Sequence, residues 1–362
     1  MYYGIDKTEV RNITIEAVNM RLLRHNTKAI FNVSENQDSY IVKVIGSDDY
    51  LQLDRLYITD NYMFNELRLD FKYNSLGIKV YYVSLDITIN TKGNSENNLR
   101  PLSVSEYRNK LNNIRDYLIS MYGVYINFNG GEKEHSRLKS IELNITAKMD
   151  HKFEDYKVLF EAIRQERNLK TYPNYVPHEK KLKYGTHYFY SKSIELKFYD
   201  KTQQLYDSFK IKVNGEYMRI EYTLNGYDKI KEKLGTDDPF SMTDEQIISF
   251  LNESIENDVF KPIQKYIDKT NKTLTKKYKE IKKQYKRGYI REFAHYCNSK
   301  DSEIFDIEQC FEIVKRDMTK SNSHNYSYNK KLIDSIISHS LKLNFDKLEE
   351  FRVKFQMKKA SY

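Results

Sequence analysis

The chain reads as an α+β protein: a mainly antiparallel central sheet with flanking helices, followed by a helical C-terminal domain. Three observations carry that reading. Alternating apolar and polar stretches recur between residues 79 and 224, several separated by gaps of hairpin size. Helical spacing interrupts them twice, and beyond about Gly226 the alternation stops and helical periodicity takes over. The expected division is 1–230 for the α+β domain, with 1–72 an accessory β region, and 231–362 for the helical, basic domain.

Residues 1–60 hold short β-like stretches, ITIEAV and DSYIVKVIGS among them, whose task is not readable. Lys79–Thr91 alternates, with Tyr81, Val83, Leu85, Ile87 and Ile89 on one face and Ser84, Asp86, Thr88 and Asn90 on the other. Val104–Met121 has helical spacing, with a stripe of Leu111, Ile114, Leu118 and Met121. VYINF, a Gly130-Gly131 turn and the strand KSIELNITAK (Lys139–Lys148) follow, then a helix near Phe153–Glu166. A loop marked by Pro173 and Pro177 leads to three strands, THYFYS, SIELKFYD and EYMRIEYTL. Ser241–Asn257, the basic run after it and Glu303–Phe355 read as helices, joined by the polar links SKDSE and KSNSHNYS.

With 362 residues and 40% hydrophobic content the chain can bury a substantial core, and its length suits two domains. No apolar run approaches the roughly 20 residues of a membrane helix. The opening MYYGIDKTEVRN has no secretory pattern, and Cys297 and Cys310 make no disulfide framework, so a reduced, cytoplasmic protein is expected. The net charge of +9 has one source: between Lys261 and Arg291 twelve Lys and Arg stand against Asp268 and Glu280, leaving the remainder close to neutral. Such a field suits a polyanion, with Lys272, Lys276, Lys279, Lys283, Lys286 and Arg287 as candidate DNA contacts. Tyr266, Tyr278, Tyr285 and Tyr289, interleaved among the lysines, can stack on bases or pack on neighbouring helices.

Setting aside each strand's apolar residues collects the chemistry. SIELKFYD leaves Glu195, Lys197 and Tyr199; EYMRIEYTL leaves Arg219, Glu221 and Thr223; KSIELNITAK leaves Glu142, Asn144 and Thr146. With Asp86 this gives four carboxylates, and where such faces coincide they suit a hard divalent ion, Mg²⁺ or Mn²⁺. A tyrosine beside such an ion becomes a nucleophile for DNA-strand transesterification. The competing reading is a solvated polar face, in a chain where 32 residues are tyrosine. Asp200 reads as the N-cap of a helix following SIELKFYD.

The order of these motifs resembles the rolling-circle replication initiators of filamentous-phage gene II and plasmid Rep type. KSIELNITAK, GTHYFYSKSIELKFYDKTQQL and YMRIEYTL carry the likeness, over roughly residues 75–230. The resemblance implies a protein that binds a replication origin in a single-stranded or hairpin region, nicks one strand through a tyrosine and stays on the 5′-phosphate. It implies a divalent metal, with Glu142 and Glu221 as metal or acid/base carboxylates; Asp86 and Glu195 remain candidate ligands from the strand faces alone. Arg219 becomes a phosphate contact with Lys197 beside it, and Lys201 a neutraliser of charge on the scissile phosphate. Tyr199 is the leading nucleophile, with Tyr188 and Tyr190 in reserve. A host helicase is a candidate partner, no membrane is implied, and the oligomeric state stays open, a dimer being one candidate.

The chain departs from the family pattern in three ways. Glu142 stands where the family often has Asp, Gln204 stands where an acidic residue is usual, and the eight histidines contain no His-x-His pair. His187 is a candidate extra ligand or a strand residue, and His295-x-Cys297 reads as structural. The alternatives are a non-catalytic origin, partition or transfer-site binder on the same scaffold, a relaxase of a mobile element, and an RNA-binding protein.

Overall fold

In the computed structural model the described residues are 1–19, 22–23, 52–60, 63–74, 77–88, 99–128, 136–176, 184–298, 307–318, 324–336 and 345–355. DSYIVKVIGS, the Gly130-Gly131 turn, Pro177 and residues 89–91 of the Lys79–Thr91 strand lie outside them, as do His25, His135, His178 and His339. The strands are β1 (Tyr2–Arg11), β2 (Thr14–Val18), β3 (Gln52–Asp60), β4 (Phe64–Asn74), β5 (Gly77–Thr88), β6 (Val124–Asn127), β7 (Arg137–Met149), β8 (Asn174–Val176), β9 (His187–Tyr190), β10 (Ile194–Asp200) and β11 (Glu216–Asn225). Nine of them form one sheet in the order β3-β4-β5-β1-β7-β11-β10-β9-β8, and β2 pairs with β6. The architecture is α+β, with antiparallel pairing at β3/β4, β4/β5, β5/β1, β1/β7, β11/β10 and β10/β9.

The chain divides into two compact units. One comprises Met1–Ala147, Val176–Asn214 and Met218–Leu251; the other comprises Lys148–Tyr175, Gly215–Tyr217 and Asn252–Tyr362. In the first unit, alternation sends Ile141, Leu143, Ile145, Leu196, Phe198, Ile220, Tyr222 and Leu224 to one buried face of the sheet. Helix α1 (Val104–Tyr117) starts in a Ser103/Glu106 capping box, buries Tyr107, Leu111 and Ile114, and packs against β1 on that side of the sheet. The Tyr107 hydroxyl donates to Thr8 Oγ1 of β1 at 3.0 Å.

The helical stripe departs from the sequence expectation at its end. From Leu118 to Tyr122 the helix widens into a π turn, closed by Gly123 at φ 65°. The extra residue per turn shifts the phase, so Tyr122 is buried and Met121, expected in the stripe, is 40% exposed.

Gly4 decides how the chain before α1 meets the sheet. Its φ of +150° and the absence of a Cβ, which would meet the Leu102 carbonyl oxygen at 2.2 Å, let Leu102 lie against β1. Ile5 and Leu102 then exchange backbone hydrogen bonds of 2.9 and 3.0 Å.

The first unit also holds α3 (Lys201–Phe209), α4 (Tyr227–Leu234) and most of α5 (Asp244–Ile255). The second holds α2 (Lys157–Glu166), α6 (Lys261–Gln284), α7 (Tyr289–Asn298), α8 (Ile307–Met318), α9 (His324–Ile336) and α10 (Phe345–Phe355). Helix α6 is amphipathic: Ile263, Ile267, Leu274, Tyr278 and Ile281 are buried, while Lys272, Lys276, Lys279 and Lys283 are exposed. Glu166, at the end of α2, receives Lys265 and Lys269 at 2.8 Å each.

Candidate metal centre and active face

The sheet face opposite α1 gathers the polar residues of five adjacent strands. Register sets Tyr199 opposite Arg219, Lys197 opposite Glu221 and Glu195 opposite Thr223, and on the other side of β10 sets Tyr190 opposite Glu195 and Tyr188 opposite Lys197. Between β7 and β11, Thr223 meets Glu142 and Arg219 Nε donates to Thr146 Oγ1 at 2.8 Å. The period-2 reading of β7, β10 and β11 therefore brings Glu142, Glu195, Lys197, Tyr199, Arg219 and Glu221 onto one surface.

The third carboxylate of the cluster is Asp6, which sequence reasoning did not find. Its signal is a bulge: the β1/β7 register jumps between Ile5 and Lys7, so Asp6 is the extra residue and is turned into the face. One carboxylate oxygen from each of Asp6, Glu142 and Glu221 lies within 4.8 Å of the others. Asp86 stands in β5 opposite Glu9 of β1, a register position three residues from Asp6. Glu195 keeps to the edge of the cluster, accepting from Asn225 Nδ2 at 3.3 Å and lying 3.8 Å from Lys197.

Two cations balance these acids. Lys197 Nζ lies 2.7 Å from Glu221 Oε1 and 3.6 Å from Glu142 Oε2. Arg219, fully buried, gives Nη1 to Asp6 Oδ2 at 2.9 Å and Nη2 to the Leu99 carbonyl at 3.4 Å. The arginine expected on a DNA phosphate instead braces β1, β7 and the chain before α1.

Burial raises the Glu142 carboxyl well above the usual range, and repulsion from Glu221 and Asp6 adds to this against Lys197. Burial also opposes charge on Glu221, but Lys197 and Arg219 outweigh it and hold this group low. The two carboxyls are coupled, and their mutual interaction raises Glu142 while lowering Glu221. Lys197 and Arg219 thus face the cluster as its two cations, and Glu142 is the carboxyl pushed towards its neutral form.

The donor set fits a hard divalent cation. Three carboxylates from three neighbouring strands offer oxygens at separations that an ion of about 2.0–2.6 Å ligand distance can bridge. The cation would take over the charge now supplied by Lys197 and would release the proton on Glu142. Asp6, Glu142 and Glu221 are the residues that would hold it.

The tyrosines differ in access. The Tyr199 hydroxyl is buried and donates to Glu221 Oε2 at 3.0 Å; burial pushes its pKa well up against the pull of Arg219, and Glu221, Asp6 and Glu142 add to the rise. Tyr188 and Tyr190 are half-buried and stack with centroids 4.7 Å apart and planes 12° from parallel. Lys197 Nζ lies 5.8 Å from the Tyr188 ring centroid. Glu195 stands diagonally across the β9/β10 ladder from Tyr188; burial first, and that carboxylate next, raise the Tyr188 pKa, and Lys197 pulls the other way.

Asp200 caps α3, accepting from Gln203 N at 2.8 Å, so β10 ends where a helix begins. Lys201 follows in the first turn, fully buried, with Nζ donating to Gln204 Oε1 at 2.7 Å. Burial, and Arg219 next, bring its pKa down to about 7. The glutamine standing in place of an acid is the partner that lets this lysine be neutral. His187 is buried on the opposite face of β9, away from the carboxylates.

No protein-family model matches the chain, and no curated protein matches it. Among solved structures, that of a rolling circle replication initiator protein from Geobacillus stearothermophilus is similar over 71% of this chain and 84% of that chain, at 10% identity and a TM-score of 0.33. So loose a likeness carries no role across, and a role for this face rests on its own chemistry.

Proposed function

We propose that this protein is a replication initiator that binds an origin and nicks one DNA strand by metal-dependent tyrosine transesterification. The observation that carries the reading is the Asp6–Glu142–Glu221 cluster on the same sheet face as the half-buried Tyr188, with Glu195 diagonal to it across the ladder. A bound Mg²⁺ or Mn²⁺ would polarise the scissile phosphodiester and stabilise charge developing on it.

Tyr188 is the nucleophile this reading favours over Tyr199. A nucleophile needs access to phosphorus and a base within hydrogen-bond reach. Half-buried Tyr188 would have access, with Glu195 across the ladder as its base, whereas Tyr199 is 6% exposed and already bonded to Glu221. The Tyr188 oxygen would attack phosphorus and pass its proton to Glu195. The new bond is a 5′-phosphotyrosine; the broken one frees the 3′-oxygen, which takes a proton from water. Tyr190, stacked on Tyr188, offers a parallel ring to an unpaired base. The exposed lysines of α6, with Lys286 and Arg287 beyond it, would hold phosphates without reading sequence.

The test is incubation with single-stranded DNA tiled from the protein's own replicon, with Mn²⁺ or chelator, read as a covalent adduct on a denaturing gel. An adduct lost with chelator and in Tyr188→Phe, but kept in Tyr190→Phe, supports the assignment. An adduct lost in Tyr199→Phe alone moves the nucleophile to that residue. Specific binding with no adduct on any tile supports a DNA-binding protein without the reaction, a reading favoured by Lys197 already filling the cluster.

A further inference from the structure

Cys297, in α7, and Cys310, in α8, are the two cysteines of the chain, and their sulfurs lie 3.2 Å apart. Both are fully buried in one apolar cluster with Leu274, Tyr278 and Ile281 of α6 and Phe293 and Phe311 beside them. The three α6 residues are the underside of the helix whose outer side carries Lys272, Lys276, Lys279 and Lys283. A thiol is a weak donor and a weak acceptor, so the contact contributes little as a hydrogen bond. The separation nevertheless exceeds a disulfide bond of about 2.05 Å by only about 1.2 Å.

We propose that Cys297 and Cys310 form a dithiol–disulfide site that staples α7 to α8 when a peroxide reaches this core. One sulfur, as thiolate, attacks hydrogen peroxide; the O–O bond breaks, a sulfenic acid forms, and the departing hydroxide takes up the thiol proton as water. The second sulfur attacks the sulfenic sulfur; the S–S bond forms, the S–O bond breaks, and the oxygen leaves with the second thiol proton as another water. Two thiols thereby give two electrons to the peroxide. Full burial makes a local opening the gate, so a small peroxide reacts before a bulky disulfide reagent does. The bridge closes a loop over residues 298–309 and restricts the opened chain, which makes the oxidised segment harder to unfold locally.

The experiment treats the full chain with hydrogen peroxide, denatures it, alkylates remaining thiols and maps the peptides by mass. The expected result is a product about 2 Da lighter with a Cys297–Cys310 cross-linked peptide that dithiothreitol releases. Proteolysis within residues 289–318 is expected to slow by roughly threefold or more on oxidation, and Cys297→Ser is expected to lose both effects. Two alkylatable thiols after peroxide, or oxygen added to each sulfur without a cross-link, overturn the proposal and leave the pair as core packing. That readout on the unaltered protein decides the matter even where a cysteine variant fails to fold.

Discussion

Lys197 Nζ sits 2.7 Å from Glu221 Oε1, directly across the β10/β11 ladder, and 3.6 Å from Glu142 Oε2, so it supplies positive charge to two of the three clustered carboxylates. Removing it leaves carboxylates facing one another in a site with little water. Lys197→Met is therefore expected to destabilise the protein by about 2–3 kcal/mol in chelator, the lower end for a broken buried pair because the side chain is 25% exposed. Millimolar Mn²⁺ should restore most of the loss, since it replaces the missing charge. Urea unfolding with and without Mn²⁺ checks this; equal destabilisation under both conditions would rule out an ion in the cluster.

Lys201 makes stability depend on pH in a defined direction. Its folded pKa is brought down to about 7 from an ordinary 10.5, so between those values the unfolded chain binds the proton and the folded chain does not. Stability then rises with pH across that window, by up to about 1.4 kcal/mol per unit, and the penalty is fully present below pH 7. Lys201→Met removes the group and should be more stable than the parent at pH 7, with the difference shrinking towards pH 10. Urea unfolding of both proteins at each pH gives that difference, and parallel profiles would contradict it.

The faces of β7, β10 and β11 were legible because a period of two leaves little choice once each apolar set is identified. The order of those strands, and so the meeting of Glu142 with Glu221, followed from register that composition does not specify. Asp6 was hidden because a bulge breaks the alternation that makes a strand readable. Alternation also says which face a side chain takes but not whether something covers it. Arg219 and Tyr199 sit on the expected face, yet both are buried, and the chain before α1 closes over Arg219 through the Leu99 carbonyl. Met121 fell out of its stripe because a π turn is invisible to a count of 3.6.

The proton on Glu142 makes metal binding pH-dependent. Below its raised folded pKa an incoming ion must displace that proton, so Mn²⁺ affinity should rise by up to about tenfold per pH unit and level off above it. Calorimetry in two buffers of different ionisation enthalpy should show close to one proton released per ion at the low end. Glu142→Gln should flatten the profile and weaken binding, while Glu195→Gln, at the edge of the cluster, should leave the slope in place. A flat profile in the parent would mean that Glu142 is not a ligand.

The exposed side of α6 should act on DNA through charge alone. Lys272, Lys276, Lys279 and Lys283 recur every three or four residues along a helix of 24 residues, a line of about 17 Å. Lys265 and Lys269, on the preceding turns, are engaged by Glu166 and should contribute less. Each Lys→Ala change among Lys272, Lys276, Lys279 and Lys283 should weaken specific and nonspecific duplexes alike and reduce the slope of log affinity against log salt by up to about 0.9. Lys265→Ala should move the slope less. Fluorescence anisotropy across a salt series measures both, and a change confined to one sequence would instead make this helix a reader of bases.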